Sequence, residues 1–198
     1  MSTRFSGFYF ITDSSLTSRG AIEDVRMALD AGVALVQYRE KIASPKQCKQ
    51  EAIEIMELCR AARVPFLVND MVDLAREIGA DGAHVGQLDM PLDRARAILG
   101  PQAIVGVSVA TVAEARAAMA QGATYLAVSP VFATTTKLDA GAGVGIAGIA
   151  AIRAVTDLPL AAIGGIGLDN VRAVWRAGAD LICAISASLR DGRVAENI

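Results

Sequence analysis

The chain has 198 residues, 53% hydrophobic and 20% charged, with a formal charge of −2. That composition supports a sizeable core and argues against disorder, and a slightly acidic balance excludes a general phosphate-neutralising surface for nucleic acid. No apolar run reaches the ~20 residues of a membrane helix, and the N-terminus lacks a basic region followed by a signal-like apolar core, so no membrane partner and a cytoplasmic location are expected.

Phe8 to Asp13 is a first apolar run ending in polar residues, followed by a helical pattern from Arg19 to Ala31. Val33 to Lys41 then reads as a strand leaving the core. Alternation would send Gln37, Arg39 and Lys41 to one face and Val36, Tyr38 and Glu40 to the other. Parallel strands are normally apolar on both faces, so this one is either a solvated edge or a wall facing an anion. Ser44-Pro45-Lys46-Gln47 opens the next helix as a capping box with Pro at its first position. Apolar residues at 48, 52, 55, 56, 59 and 62 share one face of it.

Strands are predicted at 65–70, 82–86, 103–109, 125–131, 160–163 and 181–185, separated by helices at 72–78, 91–99, 111–120, 146–155 and 169–176. Thr111 to Glu114 forms a second capping box. A small-residue loop spans 133–145, and a last helix, short or truncated, is expected before Ile198. Gly32, Gly79, Gly122 and Gly178 end the helices before the even strands, while Pro65, Pro101 and Pro159 precede strands three, five and seven. This rhythm, repeating about every 45 residues, predicts a closed (βα)8 TIM barrel, one α/β domain over residues 1–198. An open doubly wound sheet fits less well, because no G-x-G-x-x-G follows the first strand.

Cys48 and Cys59 would lie about 16 Å apart on their helix, too far to bridge. With Cys183 in an apolar strand, buried reduced thiols are expected. His84, the single histidine, lies within a strand and reads as a core or wall residue.

Barrel chemistry belongs at the C-terminal strand ends. Those ends supply Asp13, Gln37, Arg39, Lys41, Asn69, Asp70, Gln87, Asp89, Ser108, Thr134 to Lys137, Gly164, Gly165, Ser186 and Ser188, whereas the opposite ends supply mostly Gly, Pro and Ala. Asp70 and Asp89 close adjacent strands, as hard oxygen ligands for Mg2+ bridging a phosphate would. Each also stands just before a helix, where it would serve as a cap. Gly164-Gly165 and Ile185-Ser186 occupy the places where barrels bind phosphate on backbone N–H groups, although tight turns also need glycine. No Cys-His or Ser-His-Asp arrangement is present to support nucleophilic hydrolysis.

Eight motifs, in order along nearly the whole chain, resemble the thiamine-phosphate synthase family. They are Tyr9-Phe10-Ile11-Thr12-Asp13, Val36 to Lys41, Val68-Asn69-Asp70, His84 to Asp89, Gly106-Val107-Ser108, Ser129 to Lys137, Ile163 to Ile166 and Ala184-Ile185-Ser186. The resemblance implies a transferase joining hydroxymethylpyrimidine diphosphate to a thiazole phosphate with release of diphosphate. It implies that Gln37, Arg39, Lys41 and Asn69 hold the pyrimidine diphosphate, with Ser108 and Lys137 also at that substrate. Arg39, Lys41, Ser108 and Lys137 become the catalytic candidates, and Asp70 and Asp89 match Mg2+ ligands. Thr134, Thr135, Thr136, Gly165, Ile185 and Ser186 match the thiazole-phosphate site. The implied mechanism is dissociative, the partners are these two small molecules, and a homodimer is allowed.

The sequence departs from the family where Ser108-Val109-Ala110-Thr111 lacks the usual histidine. Related thiazole tautomerases share the fold and use a histidine there. Its absence, with Asp70, Asp89 and Lys137 present, favours the synthase over a tautomerase-like isomerase or a non-catalytic phosphate-ligand sensor.

Overall fold

The computed structural model describes residues 5–134, 136 and 142–198. Its elements alternate: β1 (Gly7–Ile11), α1 (Ala21–Asp30), β2 (Leu35–Tyr38), α2 (Pro45–Ala62), β3 (Phe66–Asn69), α3 (Val72–Ile78), β4 (Gly82–Val85) and α4 (Leu92–Leu99). They continue with β5 (Ile104–Val109), α5 (Val112–Ala120), β6 (Tyr125–Val128), α6 (Gly145–Arg153), β7 (Leu160–Ile163), α7 (Val171–Arg176) and β8 (Leu181–Cys183), and end with the short helices α8 (Ile185–Ser188) and α9 (Val194–Asn197). Strands β1 to β8 form a closed barrel in sequence order, and β8 returns to β1 with Gly7 opposite Leu181. Closure leaves no edge, which removes the solvated-edge explanation of the charged segment after Gln37.

Alternation sorts the strand residues into two sets. Tyr9, Ile11, Leu35, Leu67, Tyr125, Ala161 and Leu181 fill the barrel, while Phe10, Val36, Phe66, Val68, Val105 and Leu126 pack outward under the helices. Tyr38 also faces outward, and its hydroxyl donates to Glu51 Oε2 of α2 at 2.7 Å. Helix α2 starts at the expected capping box, Ser44 accepting from the Gln47 backbone and Gln47 from that of Ser44. It buries Cys48, Ala52, Ile55, Met56 and Cys59, while Ala62 at the end of the expected stripe is exposed. Thr111 caps α5 by accepting from Glu114 N at 3.1 Å. The Glu114 carboxylate reaches Ala110 N at 2.6 Å rather than Thr111 N, so the reciprocal half of that box is displaced by one residue.

Several strands stop short of expectation, β6 at Val128 rather than 131 among them. β2 stops at Tyr38, because the Arg39 N–H donates to the Thr12 hydroxyl at 2.8 Å instead of continuing the ladder. Arg39 and Lys41 therefore sit in the turn above β2, and strand alternation does not aim them. β8 stops at Cys183, so Ile185 and Ser186 begin a helical turn. All three cysteines are free and buried. No helix among the described residues is long and apolar enough to cross a membrane.

Barrel filling depends on pairing large side chains with absent ones. Gly106 on β5 faces Tyr125, and a Cβ there would stand 2.0 Å from the tyrosine ring. Gly106→Ala should therefore destabilise the fold by about 1–3 kcal/mol or more, seen as a lowered denaturant midpoint at unchanged m-value; an unaltered midpoint would contradict this packing.

Candidate active site

A cavity of about 650 Å³ opens at the C-terminal end of the barrel. Gln37, Arg39, Lys41, Asn69, Asp70, Asp89, Ser108, Thr134, Thr136, Gly165, Ile185 and Ser186 all line it, so the described candidates from seven different strand ends meet in one place. The remaining two, Thr135 and Lys137, lie outside the described residues.

Each of the two cations among the described lining residues has a carboxylate partner. Arg39 Nη1 pairs with Asp13, whose side chain is 4% exposed. Asp13 also accepts from Ser15 N at 3.0 Å. Thr12 holds the same turn by donating to Arg39 O at 3.1 Å. Arg39 is thus fixed from behind by a buried anion, and its direction is set by β1 rather than by β2. Lys41 Nζ pairs with Asp70 Oδ2, and its side chain is half exposed. Glu40 does not face the helices as alternation would have it. It accepts the backbone N–H groups of Lys41, Ile42 and Ala43 and the Ser14 hydroxyl. Burial pushes the Glu40 carboxyl up, and these donors more than offset it, leaving the group below its ordinary value.

The two aspartates are not helix caps. The residue capping α3 is Met71, with no side-chain bond, and that capping α4 is Pro91. Asp70 instead accepts from Asn69 Nδ2 at 2.6 Å, and its backbone occupies the left-handed region at φ 58°. Asp89 Oδ2 accepts from Gly86 N at 2.8 Å, folding the loop after β4 into the cavity rim. Partial withdrawal from water raises the Asp89 pKa, and Asp70 opposite raises it further. Among the described lining residues, Arg39 and Lys41 face three carboxylates, Asp70, Asp89 and Glu114.

On the opposite rim, Gly165 is required by packing. At φ 62°, an added Cβ would stand 2.7 Å from Ala133 O and 2.8 Å from Phe132 Cβ. Its tight fit joins the loop after β7 to the one after β6. Asn170 Nδ2 secures the same turn by donating to Gly165 O at 2.9 Å.

The floor holds residues that sequence reasoning undervalued. His84 lines the cavity, with Nε2 2.9 Å from Ser108 Oγ and Nδ1 2.8 Å from the Tyr125 hydroxyl. Tyr9 and Tyr125 are fully withdrawn from water, which raises both phenol pKa values. Inward alternation of the strands was the available signal; the partners come from positions 41 and 116 residues away.

Barrel and polar mouth, with acidic and basic side chains converging on one cavity, define a (βα)8 enzyme of small molecules. The thiamine monophosphate synthase family model matches residues 8–188. The chain is 46% identical over 180 residues to the thiamine-phosphate synthase of Methanosarcina barkeri, covering 91% of this chain and 81% of that one. It is 48% identical over 181 residues to that of Chloroflexus aurantiacus, covering 90% and 83%. The solved structure of a thiamine phosphate pyrophosphorylase from Pyrococcus furiosus superposes with a TM-score of 0.90 at 36% identity, covering 98% of this chain and 92% of that one. The chain belongs to the thiamine-phosphate synthase family, and is a transferase of thiamine biosynthesis acting on small molecules.

The raised Asp89 pKa fixes the sign of a pH effect. Below the ordinary carboxylate pKa, Asp89 is protonated folded or unfolded; above its raised folded pKa, its charge destabilises the fold. Asp89→Asn should therefore raise the Tm near neutral pH in chelator, with the gain vanishing as pH falls below about 4. A gain that persisted at low pH would place its origin elsewhere than in the carboxylate charge.

Proposed function

We propose that the cavity condenses 4-amino-2-methyl-5-hydroxymethylpyrimidine diphosphate with a thiazole phosphate, carboxylated or not, giving thiamine phosphate and diphosphate. The carrying observation is the rim, where two cations and two facing aspartates surround one opening within a chain of this family. Asp70 and Asp89 fit Mg2+: hard oxygens from adjacent strand ends, one with its proton affinity raised by burial and then by the other. Bound there with water and diphosphate oxygens, Mg2+ would supply charge neutralisation for the leaving group.

The chain's own groups account for the rest. Gln37 and Asn69 orient the pyrimidine diphosphate, and Ser108 binds at the floor. Arg39 and Lys41 direct positive charge at the bridging oxygen, with Lys137 as a third cation. The bond from the pyrimidine methylene to that oxygen breaks with its electron pair leaving on diphosphate, and the ring amine delocalises the resulting cation. The thiazole nitrogen then donates its pair to the methylene carbon. No proton needs to be removed, so the absence of a base among the assigned groups fits the chemistry. Charge grows on the diphosphate as the bond lengthens, so groups fixed toward it stabilise the transition state beyond the ground state.

Thr134, Thr135, Thr136, Gly165, Ile185 and Ser186 take the thiazole phosphate, supported by the convergence of the described members of this set on the opposite rim. Free buried thiols support a cytoplasmic location, residues 1–198 act as one domain, and exposed Leu168 and Trp175 offer apolar surface to a second copy.

Formation of thiamine phosphate from the two substrates, with Mg2+ and with chelator, tests the reaction, and no product at saturating substrates would sink it. Asp70→Asn, which keeps the backbone conformation available, should lower kcat by about 10²-fold or more while thiazole-phosphate affinity stays within about twofold. Collapse of that affinity would show that the two anion sites have been divided wrongly. An unchanged kcat in Lys137→Ala would remove that residue from the chemistry.

A further inference from the structure

Tyr9 and Tyr125 meet inside the barrel with hydroxyls 2.7 Å apart and rings edge to face. Gln37 Nε2 donates to the Tyr9 hydroxyl. On the other side, the Tyr125 hydroxyl contacts His84 Nδ1 at 2.8 Å and His84 Nε2 contacts Ser108 Oγ at 2.9 Å. Five side chains from five strands thus form one continuous run. Gln37, Tyr9, His84 and Ser108 line the cavity, whereas Tyr125 is fully buried and does not.

Counting protons gives the run a direction. Each phenol has one proton to donate, and the Tyr9 oxygen already receives one from Gln37. Were Tyr125 to donate to Tyr9 as well, the Tyr9 proton would have no acceptor among the described residues, in a residue 1% exposed. Buried donors are almost always satisfied. With the Gln37 amide turned so that Nε2 donates to Tyr9, the order that satisfies every donor runs from Tyr9 to Tyr125, from Tyr125 to His84 Nδ1, and from His84 Nε2–H to Ser108 Oγ; the opposite order requires that amide to be turned over. The Ser108 proton and Gln37 Oε1, which take no partner among the described residues, are then presented to the cavity.

We propose that this one-way proton order makes the cavity floor selective for a heteroaromatic ring carrying an exocyclic amine beside a ring nitrogen. Gln37 Oε1 accepts from the amine and the Ser108 hydroxyl donates to the ring nitrogen. Tyr125, out of reach of the ligand, is a positioning residue: by donating to Nδ1 it holds His84 as the Nε2–H tautomer and so determines what Ser108 can offer. The reversed order would present an amide N–H and a serine lone pair, the complement of an oxo ring with an adjacent N–H. Amino and oxo rings of the same shape are thereby distinguished by residues behind the site. The ring's identity rests on the reaction proposed above; the proton order does not.

His84 is the single histidine, so the ¹⁵N spectrum of imidazole-labelled, untagged, ligand-free protein reports it alone. The expected result is a protonated Nε2 and a pyridine-type Nδ1; a protonated Nδ1 would overturn the proposal. In Tyr125→Phe the tautomer should become mixed. The ratio of kcat/KM for 4-amino over 4-oxo pyrimidine diphosphate should fall roughly tenfold or more, with the KM for thiazole phosphate within about twofold. A fixed tautomer and an unchanged ratio in a folded variant would overturn it too. The wild-type tautomer measurement decides the proton order even if that variant does not fold. Absence of turnover with the expected tautomer would count against the reaction assignment, not against the order.

Discussion

The contact on which this structure depends is the one between two phenol hydroxyls at the centre of the barrel. A closed eight-stranded barrel must fill its interior with side chains, and most of that filling here is aliphatic: Leu35, Leu67, Ala161 and Leu181. Tyr9 and Tyr125 end the dry layer. Their rings belong to the packed core and their hydroxyls to the polar site above it. A buried hydroxyl left unpaired would cost about 1–3 kcal/mol, so each must find a partner, and the partners are Gln37 and His84. The floor of the cavity is therefore determined by the requirements of the core, and Gly106 provides the room in which Tyr125 can lie.

The rim follows a different logic. Arg39 and Lys41 look equivalent in sequence, but the structure treats them differently. Arg39 is braced by a buried aspartate and by Thr12, giving a guanidinium of fixed direction. Lys41 is half exposed and pairs with Asp70, one of the two carboxylates suited to metal. A lysine whose partner would be claimed by a divalent ion is freed when that ion binds. One cation is thus preorganised, and the other would be redirected if the metal site proposed above were filled.

Much of this was legible in the sequence, for identifiable reasons. The glycine and proline rhythm marks helix ends locally, so eight βα units could be counted, and the box at Ser44 and Gln47 needs only residues three apart. The polar strand ends followed once the barrel was assumed. What escaped depended on distant partners. The end of β2 is set by Thr12, 27 positions away, so strand alternation gave the wrong reason for aiming Arg39 and Lys41. Glu40 acts on the loop that follows it, and no periodic pattern encodes that. His84 read as a core or wall residue, which it is, but its partners Ser108 and Tyr125 come from other strands and could not be named.

The backbone at Asp70 carries a consequence for how such a site can change over generations. Left-handed φ is cheap for glycine and tolerable for asparagine and aspartate, and strained for other residues. A single substitution there that keeps the scaffold relaxed is confined to asparagine or glycine. Descendants of this barrel that abandon the carboxylate would therefore pass first through one of those two residues. Finding either in a related chain would mark a lost charge on a preserved frame, whereas a bulkier residue would mark a loop that had been rebuilt.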